Sequence, residues 1–260
     1  MSVETTASAA TRAIIRLRGY YALLAGALLL FVVPLYQLTV LAPSGYTAAL
    51  APAVERRDFA PLLAWVVDHL GSSRGYRLLQ LAPFLLALTF PRAITLLSGM
   101  PQGRRQLVMT WAGRIGFALF ALALILGFFT SASSAAAYVN AATDAQRAAV
   151  AASYANAYAI ETLLSHVAGG LLVAGFLALV SNDLRLVRSI PAAFRLFGYF
   201  VAALLVVTAL FYALAPGQVE APTSTITFFG LALWFIALGL VFLRQTRPDA
   251  TSEPQPGASQ

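Results

Sequence analysis

Long unbroken runs of apolar residues, separated by short polar segments, organise the whole chain. A spanning helix needs about 20 mostly apolar residues, because the hydrocarbon core is about 30 Å thick and a helix rises about 1.5 Å per residue. Runs at 20–42, 76–98, 107–130, 159–180, 192–215 and 223–243 meet that length. The second is the most interrupted, by Gln80, Pro83, Pro91 and Arg92. The runs are continuously apolar rather than alternating, which suits helices and not a transmembrane barrel. The pattern therefore predicts an all-α polytopic membrane protein with a six-transmembrane-helix bundle. The bundle is expected over 12–245, between disordered tails at 1–11 and 246–260. The C-terminal stretch is rich in Pro, Ser, Gln and Glu, which favours disorder.

Two connecting segments are long enough to carry structure. In 43–75, Asp58 reads as an N-cap and Gly71 as a helix stop. Between them Phe59, Leu62, Leu63, Val66, Val67 and Leu70 recur at helical spacing around Trp65. That stretch is too short to span, so the expectation is an external interfacial helix lying flat, with Trp65 at headgroup level. It serves either as packing over the bundle or as a lid on a cavity. The Ala-rich segment 131–157 favours helix, as an extension of the fourth span or as a helical hairpin.

Composition agrees with this pattern. Of 260 residues, 60% are hydrophobic and 10% charged, far from the roughly 25% charged of a soluble domain. All 17 basic residues are Arg, and the net charge is +7. In a soluble protein that charge would suggest nucleic acid. Here it sorts by side. Arg12, Arg16, Arg18, Arg92, Arg104, Arg105, Arg114, Arg185, Arg188, Arg195, Arg244 and Arg247 fall on one face of a six-span chain. Arg56, Arg57, Arg74, Arg77 and Arg147 fall on the other. The positive-inside rule then puts both termini in the cytoplasm. No aromatic-interleaved basic patch is present, so no nucleic-acid partner is expected. The first span follows basic residues, as a signal peptide does, and Ala49-Leu50-Ala51 resembles a cleavage site. Its apolar run of about 23 residues exceeds the 7–15 of a signal h-region, so it is expected to remain as a span.

Ionisable groups inside spans are costly and become functional candidates. Glu161 and His166 in the fourth span stand out, with Gln80 and Gln37 as further intramembrane polar groups. Five residues of α-helix turn through a net of about 140°, so Glu161 and His166 are not expected to share a face. Ser165 and His166, adjacent in sequence, are expected to point apart. Prolines 34, 83 and 91 predict kinks, and broken helices mark substrate sites in transporters. Small residues at four-residue spacing, Gly170, Ala174 and Ala178 in span four and Ala22 and Gly26 in span one, predict close helix packing. Arg-Gly-aromatic clusters open the odd spans, at Arg18-Gly19-Tyr20, at Arg114 through Phe117 and at Arg195 through Tyr199.

The chemical inventory is short. There is no Cys and only His69 and His166, so neither a Cys-ligated nor a three-His zinc site can be built. No nucleophile elbow or phosphate-cradling loop occurs. No cofactor or metal is expected, and no enzyme activity is indicated.

Three stretches together resemble a bacterial family of six-span integral membrane proteins of unknown function. They are Thr11-Arg12-Ala13 through Tyr21, Ala159-Ile160-Glu161 through Gly169-Gly170-Leu171 and on to Pro191, and Gly230-Leu231 through Leu238-Gly239. The resemblance implies a six-helix fold in the bacterial cytoplasmic membrane and assigns no residue a role. The leading expectation is a non-enzymatic accessory or structural membrane component. Its partners would be the lipid bilayer, other membrane proteins or a second copy. The alternative is a small transporter or channel-like protein with an external cavity near Glu161 and His166, and an intramembrane enzyme ranks last.

Overall fold

A computed structural model describes residues 2–98, 103–184, 190–215 and 223–246. Among these residues all regular structure is helical. Six helices are long and apolar enough to cross a membrane: α1 (Ala9–Leu41), α4 (Leu70–Leu97), α5 (Arg104–Asn140), α6 (Asp144–Asp183), α7 (Ala192–Leu214) and α8 (Ser224–Gln245). Two shorter helices, α2 (Tyr46–Arg56) and α3 (Ala60–Asp68), fill the connection between the first two spans. Helix in α1 already begins at Ser2, within the stretch read from sequence as a tail. The expected C-terminal tail from 247 lies outside the described residues.

Large apolar side chains such as Phe31, Leu38, Phe129, Leu196, Leu210 and Leu240 point outward. That surface suits lipid rather than water. The buried side forms two cores. The larger, built on Phe84, Phe117, Phe176, Trp234, Phe235 and Phe242, fills the bundle. The smaller, built on Leu41, Phe59, Leu63, Trp65 and Tyr154, joins α2 and α3 to the nearby ends of α1, α5 and α6. We call this the cap end.

Close backbone approach sets the bundle. A Cβ at Gly26 would press on the Ala232 carbonyl and Ile236, and one at Gly239 on the Gly19 carbonyl and Leu23. The first and last spans thus touch nearly backbone to backbone, and Ala22 between those glycines is fully buried. Gly116 of α5 and Gly169 of α6 approach each other in the same way. Gly170 faces Leu205 and Ala209 of α7, with Ala174 buried and Ala178 packed on the core. The glycines of the Arg-Gly-aromatic clusters are contact points: Gly19 meets Leu243, Gly116 meets Val173 and Gly198 meets Ser181. Packing accounts for the repetition. At the end opposite the cap, Arg105 pairs with the buried Asp183 at 2.6 Å.

The prolines interrupt their helices. Pro34 lies between two π-helical stretches of α1, Leu28–Val32 and Gln37–Leu41. Wider i→i+5 bonding accommodates the missing proline N–H. In α4 the helix breaks at Leu88 and Thr89, just before Pro91. The Pro91 ring cannot bond back to Ala87 and would crowd its carbonyl.

Four expectations for the connections change. The segment 43–75 holds two helices rather than one. The turn between α3 and α4 is at His69, and Gly71 lies inside α4. Asp58 Oδ1 accepts from the Ala60 N–H at 3.1 Å, but the residue at the N-cap position of α3 is Phe59. Trp65 is only 7% exposed rather than at a headgroup surface. Its indole N–H donates to the Ser44 carbonyl at 2.9 Å, and its ring stacks on His69 at 4.9 Å. An apolar stripe on a short helix fits an interface or a core equally well, and here α5 and α6 extend beyond their apolar runs to provide the core. They meet in a hairpin whose turn is fixed at Thr143. Thr143 Oγ1 accepts from the Gln146 N–H, and Gln146 Oε1 accepts from the Thr143 N–H. Such a reciprocal cap satisfies two otherwise orphaned donors.

Candidate functional site

Beneath the cap, the bundle encloses a cavity of about 320 Å³. Its floor lies among Leu29, Phe84, Phe120 and His166, and its roof is Leu62, Trp65 and Val66 of α3. All four intramembrane polar candidates, Glu161, His166, Gln80 and Gln37, line it. They come from three helices: Gln37 from α1, Gln80 from α4, and Glu161 and His166 from α6.

That Glu161 and His166 share the cavity corrects the helical-wheel expectation, and the reason is local. Residues Leu163–Gly169 form a π-helical turn inside α6. The Gly170 N–H bonds to the Ser165 carbonyl, five residues back. A wider turn brings positions five apart onto one side. Side-chain hydroxyls favour the change. Thr162 Oγ1 donates to the Tyr158 carbonyl at 2.9 Å, and Ser165 Oγ donates to the Glu161 carbonyl at 2.9 Å. Each bond offers a helix carbonyl a partner other than the backbone N–H, which loosens regular α-winding.

The same turn corrects a second expectation. Ser165 and His166 do not point apart, because His166 Nδ1 lies 2.8 Å from Ser165 Oγ. A hydroxyl carries one proton. With that proton given to the Glu161 carbonyl, the imidazole Nδ1–H donates to Oγ, and Nε2 remains as the ring's other hydrogen-bonding atom. The rings of Phe120, Tyr212 and Phe228 stand around the imidazole, with centroids 6.1, 4.7 and 5.7 Å away.

Glu161 has a partner that the sequence reading assigned to topology. The Arg77 guanidinium of α4 donates to Glu161 Oε1, and the two form an ion pair. Both side chains are largely buried, at 14% and 11% exposure. The pair crosses α5 at Gly127, where a Cβ would collide with the Arg77 guanidinium and both Glu161 carboxylate oxygens. Gly127 therefore has a positioning role. The available signal was charge in the membrane: a cation early in span two and an anion early in span four call for each other at similar depth.

Around the pair the walls are aromatic. Tyr46 packs edge-on to Trp65 at 4.9 Å and near Tyr76 at 6.4 Å. Phe84 stacks on Phe120 at 4.7 Å. Tyr36 closes the wall between α1 and α4, its hydroxyl donating to the Ser72 carbonyl at 3.2 Å. Gly75 leaves room for that hydroxyl. Among the described residues, no cluster of three or more His, Cys, Asp or Glu side chains could hold a metal ion. The arrangement can hydrogen-bond and enclose a small molecule. Comparison with family models, with curated proteins and with solved structures gave no match to this chain.

Proposed function

We propose that this protein binds a small molecule in the cavity beneath α3 and serves as a transporter or receptor in the bacterial cytoplasmic membrane. The observation that carries the reading is the convergence of an Arg77–Glu161 ion pair, His166, Gln37 and Gln80 on one cavity of about 320 Å³. Ligand sites are concave, mostly apolar and fixed by a few polar groups. A bundle shaped only for packing gains nothing from hollow space, since unfilled volume costs stability. The cavity therefore favours this reading over an accessory role, which rests on the small-residue contacts alone. The Arg distribution supports an orientation with the termini in the cytoplasm and α3 outside, so that the ligand arrives from the external side.

The absence of Cys makes the test direct. Single cysteines at Gln37 and Gln80, on two different walls, should react with a membrane-impermeant thiol reagent added outside intact cells. A cysteine at the lipid-facing Phe31 should not. Protection at both wall positions would overturn the proposal.

A further inference from the structure

We infer that the ligand is an uncharged, ring-bearing amphiphile carrying a hydroxyl or carbonyl group. This inference rests on the cavity being a ligand site. Charge is the first argument. Among the described lining residues, Arg77 and Glu161 carry the formal charges, and they are paired with each other. The cavity is formally neutral. An ionic ligand would bring an uncompensated charge against largely aromatic walls, or would displace one member of the pair and strand the other. Either event is costly in a low-dielectric site. A neutral molecule meets neither cost.

The walls are the second argument. Trp65, Phe84, Phe120, Tyr158, Tyr212 and Phe228 surround the space. Aromatic side chains reward a planar partner through stacked and edge-to-face contacts. A volume of about 320 Å³ lies at the small end of ligand pockets, which suits one or two fused rings.

The polar groups are the third argument. Arg77 keeps donors beyond the one given to Glu161, since a guanidinium has five. The Ser165 contact uses His166 Nδ1, leaving Nε2. Gln37 and Gln80 add amides. These groups match an oxygen on the ligand. A plain hydrocarbon would fill the space and leave them unanswered, at a cost in desolvation.

Naphthol, naphthoate and naphthylmethylammonium form a series that differs mainly in charge. Equilibrium dialysis at neutral pH against the full chain in lipid nanodiscs should show saturable naphthol binding, at least about tenfold tighter than either ion. Ala123→Phe, which fills the cavity, should abolish it. Gln80→Leu, at the rim of the same space, should weaken it several-fold and guards against misfolding of the first variant. Tighter binding of either ion would overturn the ligand class and leave the cavity reading intact. So would failure of all three to bind while a cysteine at Gln37 or Gln80 still reacts from outside. Failure of all three with cysteines at both Gln37 and Gln80 protected would overturn both. Naphthol uptake unchanged in both variants would be partition into lipid and would also overturn the inference.

Discussion

Glu161 and His166, five positions apart in one helix, line the same cavity because the turn between them is π-wound. In a regular α-helix the same residues would face different neighbours. The π-turn places a carboxylate paired with Arg77 nearer the cap end and an imidazole nearer the floor, on one continuous wall. π-Bulges recur at functional sites for this kind of reason: they re-aim side chains without ending a helix.

The ion pair makes a prediction about stability. Removing one partner of a buried pair leaves the other charge unanswered, typically at 3–5 kcal/mol. Both side chains keep some exposure to the cavity, so Glu161→Gln should cost less, about 2–3 kcal/mol. Arg77→Gln in the Glu161→Gln background should add little. Reversible unfolding of the four-member cycle in detergent measures the coupling.

Gly127 should behave unlike an ordinary helical glycine. Replacing a mid-helix glycine by alanine normally gains up to about 1 kcal/mol. Here Gly127→Ala should destabilise, because its methyl displaces Arg77 and Glu161. Its cost should largely vanish when Arg77 and Glu161 are both replaced by alanine, because both colliding groups are then gone. Gly175→Ala, with open space around it, is the control and should be neutral or mildly stabilising in the same unfolding assay.

The first and last spans supply a packing prediction. Gly26→Val and Gly239→Val force side-chain atoms against opposing backbone. Overpacking costs about 1–3 kcal/mol when neighbours can shift and more when they cannot. Both variants should lose most folded protein, read as the monodisperse fraction on size-exclusion chromatography.

Burial of Trp65 is checked by fluorescence. The difference between the parent chain and Trp65→Phe isolates its emission from that of Trp111 and Trp234. A ring shielded by Tyr46 and His69 and bonded to the Ser44 carbonyl should resist quenching by brominated lipids. An interfacial Trp would be quenched readily. Trp65→Ala should cost about 3–5 kcal/mol as a large core truncation.

Orientation has its own test. Reporter fusions after Gln102 and Asn182 should read cytoplasmic, and one after Thr143 external. An external signal at Asn182 would reverse the account of which end the cavity opens toward.

The spans were legible because the membrane dictates them: each apolar run from 20–42 to 223–243 lies mainly within one long helix. Gln37, Gln80, Glu161 and His166 were legible as polar groups in apolar runs, for the same reason. Their convergence was not. A helical wheel assumes uniform winding, and nothing in or just before Leu163–Gly169 announces a π-turn except Thr162 and Ser165, whose backbone-seeking hydroxyls are a weak signal. Arg77 was read as a topology marker, which its position also fits, and that reading hid its pairing. Trp65 was misplaced because the apolar stripe of α3 does not say whether lipid or protein covers it. The partner surface comes from Tyr46, Ala135 and Tyr154, distant in sequence.

The central claim, that one face of α6 from Glu161 to His166 borders a water-accessible cavity, is tested most directly by a cysteine scan of residues 158–170 in this Cys-free chain. An impermeant thiol reagent from outside should label Tyr158, Glu161, Thr162, Ser165 and His166, the positions that line the cavity, and spare Gly169 and Gly170, which pack against neighbouring helices. Labelling at Glu161 with protection at both Ser165 and His166 would contradict the account.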